Sequence, residues 1–328
     1  MVGMPLLEHT DSGLYCRAAD AWIDPSRPVR RALITHAHAD HARPGCDEYW
    51  AVDSSEGVLR QRLGQEITLH AMPYGRQFWL NQACVSFHSA GHVLGSAQIR
   101  LCVEGEVWVV TGDYKRCDDP SCEPFELVPC DVLITEATFG LPIYEWEPGY
   151  RVAEQIRAWW QGEQEHPSLL FCYSFGKAQR LMAELHAIGV EDEVLLHGAV
   201  ETVTRSYREA GIAMTPSRPV SAISSKDPLA GRLILAPPSA HRSAWMRRFR
   251  SPQTAFASGW MAVRGARRRR GYERGFVLSD HADWQGLIRT VLDSGARTIY
   301  VTHGQNDVLS RFLRERHGLD ARPLEQLS

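Results

Sequence analysis

The sequence predicts an α/β protein assembled from two different strand patterns, and three features lead there. The first third reads as short strands broken by loops, the middle alternates strand with helix, and the end of the chain resumes that alternation. Alternation of strand and helix is the signature of a parallel sheet with helices on its faces. With 328 residues, 44% of them hydrophobic, there is enough chain for one large core or two medium ones.

The elements follow in order. Arg31–Thr35 (RALIT) is a short apolar run, and Gln77–Leu80, Ala83–Ser89, Ala97–Val103 and Val107–Thr111 read as further strands with Asn-Gln and Glu-Gly turns between them. One helix, at about Ser55–Leu63, interrupts this series, with Ser54 or Ser55 as its N-cap. The stretch 141–149, rich in Pro, Gly and aromatic residues, reads as a boundary. Beyond it, Arg151–Gln161, Lys177–Ile188 and Val200–Ala210 have helical periodicity, and Ser168–Cys172, Glu193–His197 and Arg232–Ala236 read as strands. Phe276–Ser279 and Thr298–Thr302 (strands) and Asp283–Asp293 and Asp307–Arg316 (helices) complete the chain. The expected domains are 1–145 with 272–328, and an insertion over 146–271.

Composition narrows the function only a little. The formal charge of −3, from 36 basic and 39 acidic residues, leaves a nucleic-acid partner open, because local charge decides such binding. No secretory signal is visible, and no stretch approaches the roughly 18 apolar residues of a membrane span, so a cytoplasmic protein without membrane contact is expected. The eight cysteines form no CxxC pair, and read as buried or free thiols rather than a disulfide framework. Cys117, Cys122 and Cys130 lie close together, at a spacing irregular for a zinc knuckle.

The strongest chemical signal is His36-Ala-His38-Ala-Asp40-His41, directly after RALIT. A strand end gives its loop a fixed direction, and imidazole with carboxylate suits zinc and similar divalent ions. Two metals would need more donors, and later candidates share the same setting. His92 follows ACVSFHSAG, Asp113 follows VWVVTG, and His303 follows TIYVT. Each alone would more often be a hydrogen-bonded polar residue; the repeated strand-end context favours ligands.

In order, Asp24 in DAWIDP, the HAHADH loop, His92 and Asp113 in TGDYK resemble the metallo-β-lactamase superfamily. Glu136 in LITEATFG, His281 in SDHADW and His303 in VTHGQ are similar to the three extra motifs of its β-CASP branch, whose members cleave DNA or RNA. The 167 residues between Asp113 and His281 leave room for that branch's inserted cap. The stretch from Ala257 to Trp284 looks most like the bacterial DNA-ligase-associated exonucleases. The resemblance implies an αββα sandwich with an inserted α/β cap domain and two divalent metal ions, zinc by default with manganese or iron possible. It implies that His36, His38 and His92 hold one ion, Asp40, His41 and His303 the other, and that Asp113 bridges them. His281 becomes the general acid, Glu136 its orienting partner, and Asp24 the carboxylate that fixes a ligand histidine.

Two weaker signals concern substrate. Arg264, Arg267, Arg268, Arg269 and Arg270 form a dense basic run upstream of His281, suited to phosphate contact, and Arg247, Arg248 and Arg250 extend it. Ser174 and Lys177, where a strand passes into a helix, could receive phosphate oxygens, although the spacing is not that of a nucleotide P-loop. The reading is therefore a dinuclear metal-dependent nuclease, with DNA end processing favoured over RNA processing and a functional association with a DNA ligase implied by resemblance. A small-molecule hydrolase on the same scaffold and a non-catalytic binding protein are the alternatives. The small-molecule hydrolase would need neither the long insertion nor the arginine run.

Overall fold

The computed structural model describes residues 5–224, 227–263 and 271–327. The chain divides into two compact units: Met1–Cys117 with Cys122–Glu145 and His281–Ser328, and Trp146–Asp280 with Asp118–Ser121.

The first unit holds two sheets. One has six strands in sequential order: β1 (Leu7–Thr10), β2 (Gly13–Cys16), β3 (Ala21–Ile23), β4 (Arg31–Leu33), β5 (Glu48–Val52) and β6 (Leu69–Met72). Helix α1 (Glu56–Leu63) follows β5 and buries Val58 and Leu59. The other sheet runs in the order β19 (Asp320–Pro323), β18 (Thr298–Gly304), β11 (Val132–Ala137), β10 (Glu106–Val110), β9 (Ala97–Val103), β8 (Ala83–Ser89) and β7 (Phe78–Leu80). Alternation along these strands explains the layers. Trp108, Val110, Val132 and Ile134 join Leu14, Ile23 and Leu33 in a core shared by the two sheets. Their sequence neighbours Val109 and Leu133 point the other way, toward Leu287 and Val291 of α5 (Trp284–Ser294) and Leu309 and Leu313 of α6 (Asn306–His317). A strand buried on both faces must be apolar throughout, which is why β10 and β11 show no polar alternation.

The second unit is a parallel sheet in the order β14 (Ser217–Pro219), β13 (Val194–Leu196), β15 (Leu233–Ala236), β12 (Ser168–Phe171), β16 (Gln253–Ala257) and β17 (Arg274–Phe276). Helices α2 (Gly149–Gln161), α3 (Lys177–Ala187) and α4 (Gly198–Glu209) connect or flank these strands.

The α/β class and the alternating second half agree with the sequence reading, and three details differ. The hairpin β1–β2 and strands β3, β5, β6, β14 and β19, which are short or mixed in exposure, go beyond the sequence reading, as do the largely buried β11 and β16. The strand expected at Phe276–Ser279 lies earlier, at Arg274–Phe276. It pairs with β16 through Ala255↔Arg274 and Ala257↔Phe276, so residues 272–280 belong to the second unit rather than the first.

Ile299 tests the central packing of the first unit. It is fully buried in β18 between β11 and α5 and α6. Ile299→Ala should destabilise folding by roughly 2–5 kcal/mol, read from the shift of the urea midpoint at unchanged slope.

Candidate metal centre

Strand direction brings the candidate ligands to one edge. β8 and β10 both run antiparallel to β9, and β11 and β18 run parallel to β10, so all four point the same way. Their C-terminal ends carry or precede His92, Asp113, Glu136 and His303. β3 and β4, parallel to each other, end just before Asp24 and the His36–His41 loop.

The loop turns back on itself, with the N–H groups of His41 and Ala42 donating to the His38 carbonyl. That turn directs three imidazoles inward. His36 Nε2 lies 2.9 Å and His92 Nε2 3.2 Å from His38 Nδ1. Asp113 Oδ2 is 3.6 Å from His36 Nε2, 3.7 Å from His92 Nε2 and 3.5 Å from His41 Nε2. Two groups have ligand atoms close enough to hold one cation each: His36, His38, His92 and Asp113, and Asp40, His41 and His303. Asp113, Glu136 and His281 satisfy the same spacing.

A divalent cation fits this donor set for a reason internal to the structure. Asp113 Oδ1 and His41 Nε2 are buried and have no hydrogen-bond partner. Leaving such atoms unsatisfied costs about 1–3 kcal/mol each, and a cation beside them would satisfy both. Imidazole and carboxylate donors admit zinc, manganese or iron.

Neighbouring residues fix the ligands. Asp24 Oδ1 accepts the Thr35 N–H at 2.8 Å, while Oδ2 accepts the Thr35 hydroxyl at 2.5 Å and lies 2.7 Å from His41 Nδ1. A carboxylate on Nδ1 holds that nitrogen protonated and leaves Nε2 as the inward donor. Burial opposes a charge on His41, but Asp113, Asp24 and Asp40 outweigh it and raise its pKa to about 10. For His36, burial and then His41, His38, His92 and His281 push the pKa well below the usual histidine range. Burial also opposes the charge of Asp113, yet His41, His281, His92 and His303 hold its carboxyl below the ordinary carboxylate range.

His303 reaches its cluster through a β-bulge. Glu136 pairs with Thr302 and Ala137 with Gly304, which leaves His303 as the extra residue, at φ 53°. A bulge of this kind re-aims a side chain. The next residue, Gly304, has φ 134°, and a Cβ there would collide with the Ala137 carbonyl. Only glycine fits. Gly112, before Asp113, has φ 58°, and a Cβ would lie 2.7 Å from Thr35 Cβ.

Glu136 and His281 form a separate pair. His281 Nδ1 lies 3.0 and 2.9 Å from the two Glu136 oxygens, and Oε1 also accepts the Tyr114 N–H at 2.7 Å. Glu136 is buried, whereas the His281 side chain is 22% exposed.

Sequence reasoning missed Thr35, Gly112 and Gly304, which act through backbone position and packing. It also assigned phosphate contact to Lys177, and the structure corrects that. Lys177 is 4% exposed and its Nζ lies 2.5 Å from Asp280 Oδ2, so its charge is already engaged inside the second unit. The adjoining Gly176 N–H donates to Gln179 Oε1 and the Ala178 N–H to the Tyr173 carbonyl, so two amides of the helix start are engaged internally; Ser174 is half-buried, and its carbonyl accepts from Gln179 Nε2. Arg264, Arg267, Arg268, Arg269 and Arg270 lie outside the described residues. Among the described residues, no helix is long and apolar enough to cross a membrane.

Comparison with known proteins agrees with this geometry. No family model matches the chain. Over 314 residues, 94% of the chain, it is 33% identical to a protein named Probable DNA ligase from Opitutus terrae, of which it spans 30%. A 140-residue match at 27% identity, over 36% of the chain and 33% of the relative, is to an RNase J-like protein from Methanocaldococcus jannaschii. A 65-residue match at 40% identity, over 19% of the chain and 8% of the relative, is to the endoribonuclease ysh1 of Aspergillus fumigatus. The chain thus spans a third or less of these relatives. A crystal structure of a protein of unknown function from Enterococcus faecalis V583 shares the fold, with a TM-score of 0.56 at 11% identity, over 84% of this chain and 75% of that one. The fold and site define a metallo-β-lactamase-type α/β protein. Within that superfamily, the chain belongs to the β-CASP branch.

The protonation of the site and the bulge at His303 can each be tested. In chelator-stripped protein, the raised His41 stabilises the fold fully below its ordinary value of 6.5, and that contribution is lost as pH rises through about 10. Asp113, held low, contributes above the ordinary carboxylate value and loses that contribution as pH falls. At neutral pH His41 therefore carries a proton that an incoming divalent ion must displace. Calorimetric titration with zinc should give heats that vary with buffer ionisation enthalpy; identical heats in every buffer would contradict it. Gly304→Ala should displace His303 and weaken divalent-ion retention by roughly 10- to 100-fold, measured as metal content after dialysis of protein with unchanged circular dichroism.

Proposed function

We propose that this chain is a dinuclear metal-dependent nuclease that hydrolyses phosphodiesters in DNA, as an end-processing exonuclease. The observation that carries the reading is the convergence of two His/Asp groups on Asp113, beside the Glu136–His281 pair. His36, His38 and His92 would hold one ion, Asp40, His41 and His303 the other, with Asp113 shared. When bound, the two ions supply Lewis acidity and an activated water for phosphodiester hydrolysis. Zinc is the default, and manganese or iron are compatible with the donors.

The remaining tasks fall to side chains. Glu136 engages Nδ1 of His281 and so fixes the ring, leaving Nε2 to give a proton to the departing oxygen. Tyr114 N–H and burial keep the Glu136 carboxylate in place. Asp24 and Thr35 orient His41, and Asp40 adds a carboxylate on the exposed side of that cluster. The second unit, inserted between Glu145 and His281, is read as the β-CASP cap.

The DNA preference rests on the Opitutus relative, which matches over nearly the whole chain and whose name is that of a DNA ligase. A functional link with a ligase belongs to the same proposal. The RNase J-like and ysh1 relatives support the second reading, an RNA-processing nuclease.

Labelled single-stranded and duplex DNA, and matching RNA, incubated with wild type, Asp113→Asn and His281→Ala will decide between them. Wild type should release mononucleotides from DNA ends in a chelator-sensitive manner. Asp113→Asn should be inactive, and His281→Ala should lose roughly 10²–10⁴-fold in turnover while retaining its metal. Undiminished cleavage by Asp113→Asn would refute the mechanism, and cleavage confined to RNA would select the second reading.

A further inference from the structure

Between the two sheets of the first unit, a cavity of about 160 Å³ lies beside the Asp40–His41–His303 group. Leu14 and Ile23 line it from one sheet, Val110 and Ile134 from the other, and Leu324 from the short turn after β19. Asp24, His41 and His303 also border it, and the two imidazole rings stack at 5.1 Å. Close-packed interiors seldom leave voids larger than a water molecule. A dry cavity of about 150 Å³ is large enough to take up benzene, so this one has room for a real ligand.

The polar atoms along the inner wall are already engaged. Asp24 accepts hydrogen bonds from the Thr35 N–H and hydroxyl through its two oxygens, and Oδ2 also meets His41 Nδ1. The Thr111 hydroxyl donates to the Gly112 carbonyl. A buried water needs two to four polar partners, and a wall that offers so few favours an apolar group instead. The lining residues that reach solvent are His9 of β1 and His303 at the end of β18, with Thr302 half-buried beside them. The mouth therefore lies on that side, where Thr302 and His9 offer hydrogen bonds to a single polar group.

We infer that this cavity binds a small neutral amphiphile, an alcohol or phenol of about seven heavy atoms. Its hydrocarbon packs against Leu14, Ile23, Val110 and Ile134, and its hydroxyl points to Thr302 and His9 at the mouth. The Asp24 carboxylate in the wall disfavours an anionic head group. Because His41 and His303 belong both to this wall and to a candidate ion site, the two ligands are coupled. An ion that fixes both rings pre-organises the wall, so ion and amphiphile strengthen each other's binding reciprocally. The coupling rests on the metal-centre reading; the cavity does not.

Saturation-transfer NMR with cyclohexanol, titrated into chelator-stripped and into zinc-loaded protein, measures this binding without any substrate turnover. Stripped wild type should bind with a Kd of about 1 mM or tighter, and zinc should tighten it about five-fold or more. Val110→Phe puts a ring into the cavity and should weaken binding of the stripped protein about ten-fold or more. Leu324→Phe fills it from another wall and serves where circular dichroism shows that the first variant misfolds. Leu292→Phe, on the exposed side of α5, should leave binding unchanged. No binding by stripped wild type, or undiminished binding by a folded, filled variant, would overturn the ligand site. Equal or weaker binding in zinc-loaded protein would overturn the coupling. A protein that binds cyclohexanol yet retains no zinc would bring down the metal-centre reading and the coupling with it, and leave the cavity's assignment standing.

Discussion

A carboxylate buried among histidines is the constraint from which the rest of the first unit follows. Asp113 is 6% exposed, and a buried charge of that kind persists only where its surroundings compensate it. The surrounding imidazoles cannot all be charged, because they repel one another. His36 shows one consequence: burial and its histidine neighbours keep it neutral. His41, which faces both Asp113 and Asp24, takes the positive charge instead. The site is thus internally ranked, with one histidine cationic and at least one neutral, and the ranking is set by which carboxylates face each ring. A set of donors with orphaned atoms and divided protonation is arranged for cations rather than for its own hydrogen bonds.

Holding that arrangement requires backbone conformations that most residues avoid. Asp24 and His303 sit at positive φ, and Gly112 and Gly304 do so where a side chain would collide. Each such non-glycine position costs on the order of 1–3 kcal/mol. The sandwich core below, buried on both faces of β10, β11 and β18, supplies the rigidity that offsets this strain. The strain thus sits at the ends of strands whose middles are buried on both faces, as expected where geometry serves a site.

This division also explains what the sequence could disclose. The HAHADH loop was legible because its ligand types are contiguous and follow an apolar run. His92, Asp113 and His303 were legible only as a repeated context, since nothing local says that β8, β10 and β18 run in the same direction. Thr35 carries no metal-binding chemistry of its own, yet it joins Asp24 to the loop; a threonine in a buried run gives no hint of that. Gly112 and Gly304 look like ordinary turn glycines until their neighbours across the sheet are known. The strand content was legible for the long runs Ala83–Ser89 and Ala97–Val103, and obscured for the hairpin over Leu7–Cys16, where Glu8, His9 and Asp11 mask the alternation.

Lys177 shows why charge is the hardest property to read from sequence. Its partner Asp280 is 103 residues away, and Arg180 beside it reaches Asp280, Asp119 and Glu184, all with side chains at most 7% exposed. A buried ionic network of this kind contributes little net stability, because desolvation consumes most of the attraction. It does fix which segments meet, since any other pairing would strand a charge. The lysine that looked like a phosphate ligand is therefore engaged inside the second unit, and only cations that keep their hydration and lack acidic neighbours stay open to an anion. The net charge of −3 hides such a set: within 241–250 there are four arginines and no acidic residue. Local distribution, not the total, determines where a polyanion can settle.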